Sequence, residues 1–177
     1  MELKQVQDTI KRFRDYVIQQ SRSNLTKGGK NVSKKLYNSL KGEILTENNY
    51  SLVGFTMDDY GAYQDKGVKG KFKSNKAPDS PFKFGSGSGQ KGGLTNGIEK
   101  WVVQKGIQFR DKKTGKFLTY KSTAFIITRS IFATGLKPSL FFTKPFESGY
   151  KKYIDVDLLK AFSQDLDTLI SYNLKTK

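Results

Sequence analysis

Residues 44–67 read ILTENNYSLVGFTMDDYGAYQDKG, and they combine the signals of strand, turn and helix. Residues 44–46 and 50–57 predict two paired strands, because side chains of different character alternate along the second run. The polar residues 47–49 between them favour a turn. The sequence therefore predicts an antiparallel pair of strands with one covered face.

Acidic residues follow the second predicted strand. Asp58 and Asp59 precede a short helical stretch over 60–65, and we expect them to cap it, because carboxylates accept hydrogen bonds from first-turn N–H groups. Together with Asp65 they also form a carboxylate cluster of the kind that can bind Ca²⁺ or act in acid–base catalysis. No nucleophile or polar partner accompanies the cluster, which favours the capping role.

Both ends of the chain show helical periodicity. Apolar residues recur at three- and four-residue spacing over 2–22 and again over 156–173, which predicts two amphipathic helices. Asp155 or Asp157 is expected to cap the second helix. Packing into the core is the favoured role of both apolar stripes, and docking onto a partner subunit is the alternative.

Two short helices and a hairpin are predicted between the terminal helices. Residues 34–40 and a stretch from Trp101 to Gly106 have helical patterns. Residues 107–120 predict a β-hairpin with a basic tip, in which Gly115 takes the left-handed position.

A further helix is predicted before the last one. It begins at Ser122 or Thr123 and ends before Gly135, a residue suited to the position after a helix. Apolar side chains that include Phe125 and Phe132 cover two of its faces, so we expect this helix to be central.

The composition bounds the size of the core. The 177 residues suit one domain, and the hydrophobic share of 36% is below the roughly 45–50% of globular proteins. We therefore expect a single α+β domain over 1–177. In it, a small antiparallel sheet packs against helices and carries long loops and terminal helices.

The residue types present exclude several function classes. The chain has no cysteine and no histidine, which excludes disulfides, thiol catalysis, Cys/His zinc sites and Ser-His-Asp chemistry. No signal segment or membrane-spanning run is recognised, so we expect a soluble protein made in the cytoplasm.

The net charge of +16 is concentrated in the middle of the chain. Residues 66–121 carry fourteen basic and three acidic side chains, and 27 of the 32 basic residues are lysine. Lysine suits nonspecific contact with phosphates, whereas arginine reads bases through paired hydrogen bonds. We expect either a surface that tracks a nucleic-acid backbone or a solvated segment that orders against a partner. The candidate DNA-facing or channel-facing residues are Lys69, Lys71, Lys73, Lys76, Lys112, Lys113 and Lys116.

A long loop over 68–93 is rich in Gly, Ser, Lys and Pro. Within it, residues 87–92 match the spacing G-x-G-x-x-G, but neither a preceding strand nor an immediate helix supports dinucleotide binding, and a flexible linker is favoured. Asp79, with Asp111 and Lys113, superficially resembles a metal-dependent nuclease pattern. These carboxylates lie in a loop and a turn rather than on core strands, which disfavours that role.

The order of motifs along the chain resembles that of a known family. A YGAYQDKG tract at 60–67 is followed by GIEKWV at 97–102, by AFIITRSI at 124–131 with Gly135, and by FFTKPF at 141–146. In this order they resemble the tail-completion, or head–tail joining, neck proteins of tailed bacteriophages. The long basic loop and the strong positive charge depart from the family pattern.

The resemblance implies a structural role. Members are small α+β proteins that form rings between portal and tail, so the expected partners are copies of this chain, portal or adaptor proteins, tail proteins and genomic double-stranded DNA. The expected location is the virion neck, with no enzymatic role, no cofactor and no membrane involved. A small nonspecific nucleic-acid-binding protein of the host cytoplasm is the alternative. The candidate subunit-interface residues are Tyr60, Tyr63, Phe141, Phe142 and Phe146. For the three phenylalanines, packing in the core is the alternative interpretation.

Overall fold

A computed structural model of the protein describes residues 3–29, 33–47, 50–86 and 93–175. Helices predominate in the described residues, with two small antiparallel sheets, which confirms the predicted α+β class. The chain divides into two compact units. We call Met1–Asp58 with Phe141–Lys177 the terminal unit, and Asp59–Leu140 the central unit.

The terminal unit contains both predicted end helices and the predicted strand pair. In chain order its elements are α1 (Lys4–Lys27), α2 (Lys35–Ser39), β1 (Lys41–Thr46), β2 (Ser51–Thr56), α6 (Thr143–Gly149), a π-helix (Tyr150–Asp157) and α7 (Leu158–Lys175). The central unit contains α3 (Tyr60–Lys66), β3 (Val68–Lys69), α4 (Gly93–Lys105), α5 (Tyr120–Thr134) and β4 (Gly135–Leu136).

Helix α1 and the β1–β2 hairpin pack against each other. The strands pair in register, with Ile44 opposite Val53 and Leu45 opposite Leu52. Gly42 lets β1 approach α1 so closely that an added Cβ would lie 2.7 Å from Cγ of Arg14. The predicted strand pair is thus confirmed, and the helix supplies its cover.

Aromatic rings fill the space between α1, the hairpin and α6. The ring of Phe13 lies edge-on to Phe55, Phe146 and Tyr150, with centroids 5.7–6.5 Å apart. Such pairs contribute about 0.5–1.5 kcal/mol each beyond the area they bury. Phe141 lies beside this cluster in a second buried group that it forms with Leu25 and Leu36.

The last helices form one continuous helical stretch. The backbone passes from α6 through the wider turns of the π-helix directly into α7. The prediction that Asp155 or Asp157 caps the last helix is therefore wrong, because both residues lie inside helical backbone.

The start of α1 is capped by a residue from the other end of the chain. The carboxylate of Asp165 accepts hydrogen bonds from the backbone N–H groups of Gln5 (3.1 Å) and Val6 (3.0 Å). Leu3, at the cap position itself, provides no side-chain bond. The free N–H groups of a helix start attract a negative charge, so this contact ties α7 to α1.

Helix α5 starts earlier and is more exposed than predicted. The hydroxyl of Thr119 accepts a hydrogen bond from the N–H of Ser122, so the cap lies before the expected Ser122 or Thr123. The prediction of a central helix is wrong, because only Thr123 and Ala124 are buried while Phe125 is 55% exposed. The predicted end at Gly135 is confirmed.

The predicted hairpin at 107–120 is reduced to a tight turn. A single bridge joins Arg110 and Phe117, and the N–H of Leu118 donates to the carbonyl of Phe109. Gly115 has a φ of +69°, so its predicted left-handed conformation is confirmed.

The loop after α3 is held to β4 over its first half. Val68 pairs with Leu136, and Lys69 pairs with Gly135. Gly135 has a φ of +89°, and a Cβ there would lie 2.5 Å from the carbonyl oxygen of Val68. Only glycine therefore permits this close pairing. The G-x-G-x-x-G stretch at 87–92 lies outside the described residues.

The capping roles predicted for the acidic pair after β2 are wrong. Asp59 occupies the cap position of α3 but its side chain makes no capping bond. The carboxylate of Asp58 lies 3.6 Å from Nζ of Lys35. The backbone N–H of Asp58 donates a hydrogen bond to the hydroxyl of Ser39. Asp58 therefore joins the loop to α2 within the terminal unit.

Candidate functional site

All seven candidate lysines belong to the central unit. This unit holds sixteen basic and five acidic residues, a net charge of +11, whereas the terminal unit carries +5. The concentration of charge predicted from the sequence thus coincides with one compact unit. Six of the sixteen basic residues lie in two clusters that also contain aromatic rings.

The first cluster, which we call the Phe72 cluster, comprises Lys71, Phe72, Lys73 and Phe132. The ammonium of Lys71 lies 5.6 Å from the ring centroid of Phe72 and 5.8 Å from that of Phe132. The Phe72 side chain is 74% exposed. Backbone N–H groups of all three loop residues donate to carbonyls at the end of α5, which fixes their position.

Two further candidate lysines lie on the same loop, but their side chains are less available to a ligand. Lys76 donates from Nζ to Oγ1 of Thr134 over 2.8 Å. Lys69 lies in β3, where its N–H donates to Phe82 and its carbonyl accepts from Phe84. Lys69 is also partly buried, whereas Lys71 and Lys73 are exposed.

The second cluster, which we call the turn-tip cluster, lies on the tight turn after α4. The guanidinium carbon of Arg110 lies 4.5 Å from the ring centroid of Phe117, which is 61% exposed. Lys112, Lys113 and Lys116 lie on the same turn and are all exposed. Three ammonium groups and one guanidinium therefore share a short segment of chain.

Asp111 stabilises the turn rather than forming a metal site. Its carboxylate accepts hydrogen bonds from the N–H and hydroxyl of Thr114 and from the N–H of Lys113. These bonds, led by the N–H of Thr114, hold the pKa of Asp111 below its usual value of 3.8. Among the described residues, no group of three carboxylates or other ligands is placed to hold a metal ion.

The two clusters share a chemistry suited to polyanions. Lysine ammonium groups neutralise phosphates, and an exposed ring with a cation over its face offers a stacking surface that accepts any base. No described carboxylate lies within 4 Å of the ammonium groups of the five exposed lysines in the two clusters. The arrangement therefore favours nonspecific binding of a nucleic-acid backbone over sequence reading.

The aromatic residues expected at subunit interfaces divide into two groups. Tyr60 and Tyr63 are exposed on α3, and the ring of Tyr63 packs edge-on to Phe82 at 4.5 Å. Phe141 is buried in the terminal unit, where Phe142 packs against Phe55 and Phe146 against Phe13, and both are partly buried. The alternative interpretation of these phenylalanines, packing in the core, applies to Phe141, which is buried.

The apolar stripe predicted at the end of the chain is largely exposed on α7, so the favoured prediction of core packing is wrong for most of its side chains. The buried face of α7 consists of Ala161 and Asp165, whereas large apolar side chains on the other face are exposed. Periodicity indicates an apolar stripe but does not say whether the chain itself covers it. The exposed apolar residues of α7 are Leu159, Phe162, Leu166, Ile170 and Leu174.

The terminal unit carries a groove lined mainly by polar and charged side chains. It is open, measures about 1030 Å³ and lies between α1 and β1. The guanidinium of Arg22 is engaged with the carbonyls of Tyr37 (3.1 Å) and Leu40 (3.0 Å). This arginine therefore connects α1 to the end of α2.

Among the described helices, none is both long and apolar enough to cross a membrane.

No family model, curated protein or solved structure matches the chain.

Proposed function

We propose that the chain is a structural subunit of the neck of a tailed bacteriophage. In this proposal, copies of the chain form a ring in the head–tail connector, join portal to tail, and line or seal the DNA channel. The chain would be made in the host cytoplasm and function in the virion. The proposal includes no catalytic activity and no cofactor.

The observation that carries the proposal is that the chain exposes two kinds of surface, one basic and one apolar. The basic and aromatic clusters lie in the central unit, and an uncovered apolar helix face lies in the terminal unit. A ring subunit around DNA needs both kinds, because it contacts its neighbours through apolar patches and the duplex through charge that ignores sequence. The resemblance in motif order supports the same role.

Interrupting the gene in the phage that encodes the chain tests this role. Loss of a neck subunit should leave DNA-filled heads and finished tails that do not join, and supplying the chain from a plasmid should restore joined particles. Normal joined particles in its absence would refute the proposal. A synonymous recoding of the gene is the matched control for effects on neighbouring genes.

A nonspecific nucleic-acid-binding protein is the second candidate, and the exposed Phe72 and Phe117 rings favour it. That role requires tight binding by the isolated chain, with affinity falling by about 10³-fold or more between 50 and 200 mM salt. The neck role requires only weak binding, because a ring multiplies contacts that are individually weak. A salt titration with duplex and single-stranded DNA separates the two candidates.

A further inference from the structure

The end of α7 extends past the helix on which α7 packs. The two helices run antiparallel, because Tyr153, just before α7, meets Tyr16 with ring centroids 5.5 Å apart, while Asp165 meets the N–H groups of Gln5 and Val6. Helix α1 begins at Lys4, so the residues after Asp165 continue beyond its start. We call residues 166–175 the C-terminal arm, which is about 15 Å long.

Three aliphatic side chains of the C-terminal arm are exposed. Leu166, Ile170 and Leu174 follow one another at four-residue spacing, and their exposed fractions rise along the arm from 40% to 57% and 73%. The ends of soluble helices with no neighbour normally present polar side chains. Three large aliphatic side chains in a row therefore indicate a surface that another chain covers.

A second uncovered apolar surface lies in the same unit, on the side of the β1–β2 hairpin that does not face α1. Leu45 and Leu52 are cross-strand partners there, 59% and 55% exposed. Tyr50, next to the turn, is 59% exposed. We call Leu45, Tyr50 and Leu52 the hairpin face.

The charges of these two surfaces permit a second copy of the chain as the partner. A second copy also carries +16, so copies repel each other strongly wherever their basic surfaces meet. Helix α7 carries two lysines and two aspartates, and β1 with its following turn carries Lys41 against Glu43 and Glu47. These surfaces are close to neutral, so two copies can meet there without bringing like charges together.

We propose that the C-terminal arm of one copy packs on the hairpin face of the next. The two surfaces differ, so the contact is head-to-tail and repeats around a ring instead of stopping at a symmetric pair. This inference rests on the proposed ring and specifies how its subunits would join.

The size of the two surfaces predicts a weak contact. A few half-exposed apolar side chains on each surface offer on the order of 300–400 Å² per copy, about half the ~800 Å² per partner of a stable interface. The isolated protein should therefore be monomeric when dilute and associate reversibly at about 0.1–1 mM. Ring closure on a preformed portal would supply the remaining stability through multivalency.

Paired variants of the full chain test the contact by sedimentation equilibrium. The arm variant is Ile170→Gln with Leu174→Gln, and the hairpin variant is Leu45→Thr with Leu52→Thr. Val103→Gln with Phe125→Gln is the matched control, because these two side chains are similarly exposed but lie in the central unit. Circular dichroism verifies that all variants keep the wild-type helix content.

A head-to-tail contact makes a distinctive prediction for mixtures. Each of the two variants alone should associate at least about tenfold more weakly than wild type. An equimolar mixture should regain association but stop at heterodimers, because each variant keeps only one of the two surfaces. The control variant should behave as wild type.

Three results would overturn the contact. They are a wild-type chain that stays monomeric at about 1 mM, a hairpin variant that pairs as well as wild type, and a mixture that regains nothing. The contact and the neck role can fail separately. Head-to-tail pairing in a chain that is absent from virions would refute only the role, and normal virions assembled from the arm variant would refute only the contact.

Discussion

Removing the carboxylate that caps α1 should destabilise the terminal unit by a predictable amount. Asp165 is 8% exposed and accepts two backbone hydrogen bonds at 3.0 and 3.1 Å. Hydrogen bonds to charged groups contribute about 1.5–3 kcal/mol each, but Gln5 is exposed and water replaces part of the loss. We therefore expect Asp165→Ala to lower the free energy of unfolding by about 2–3 kcal/mol.

Two companion variants isolate the cause. Asp165→Asn keeps one acceptor oxygen but loses the charge and the second acceptor, so it should cost about 1–2 kcal/mol. Asp167→Ala removes the same carboxylate two residues later on an exposed position and should change stability by less than about 0.5 kcal/mol.

Urea denaturation followed by circular dichroism measures these differences, because α1 and α7 contribute much of the helical signal. The midpoint should fall while the slope with urea stays constant. Trp101 is the single tryptophan and lies in the central unit, so its fluorescence reports that unit. Hydrogen exchange at the amides of Gln5 and Val6 should also accelerate in Asp165→Ala. An Ala variant indistinguishable from Asp167→Ala in midpoint and exchange would refute the capping role.

Three other predictions concern the central unit. Gly135→Ala should lower the free energy of unfolding by more than about 3 kcal/mol, because an unfavourable positive φ adds to a clash between the new Cβ and a carbonyl oxygen. Gly106 has a φ of +65° but open space around it, so Gly106→Ala should cost only about 1–2 kcal/mol. Equal costs in thermal unfolding would contradict the clash. Replacing Lys112 and Lys113 by glutamate should reduce the number of DNA-filled infectious particles by about tenfold or more without changing the melting temperature. Glutamate in place of Lys151 and Lys152, the control, should leave the number of infectious particles unchanged. Unchanged infectivity of the first variant would refute the DNA-facing role. The pKa of Asp111 is lowered, so its carboxylate stays ionised and stabilises the turn until the pH falls below the usual value of 3.8. The NMR amide shifts of the turn should therefore change only below pH 3.8, as the carboxylate protonates. A midpoint at or above 3.8, or amide shifts that do not change in Asp111→Asn, would contradict this.

Local patterns predicted much of the terminal unit. Ile10, Phe13 and Val17 recur at helical spacing and are all buried on one face of α1. Alternation along the chain also indicated the β1–β2 pair before its register was known. Such features are readable because the period of the apolar residues matches the period of the backbone.

Features that depend on distant residues could not be predicted from the sequence. The cap of α1 is separated from its helix by 160 residues, and an aspartate on an apolar face gives no sign of such a partner. The exposure of Phe125 was missed because an apolar stripe does not reveal how many neighbours a helix has. The pairing of Val68 with Leu136 was hidden in a stretch whose composition indicated only a loop.

The candidate site was predictable in composition but not in arrangement. The lysine-rich segment was evident from the sequence, whereas the placement of Lys71 over two rings depends on the contact between the loop and α5. The apolar face of α7 was recognised as a stripe, yet the burial of Ala161 and Asp165 in place of the leucines could not be deduced from it.

Quantitative mass spectrometry of gradient-purified particles, after nuclease treatment and a high-salt wash, tests the neck role most directly. A neck subunit should remain at a fixed copy number, equal to that of the portal protein or a simple fraction of it. Absence of the chain, or its removal by salt, would contradict the account and favour a nucleic-acid-binding protein held by charge alone.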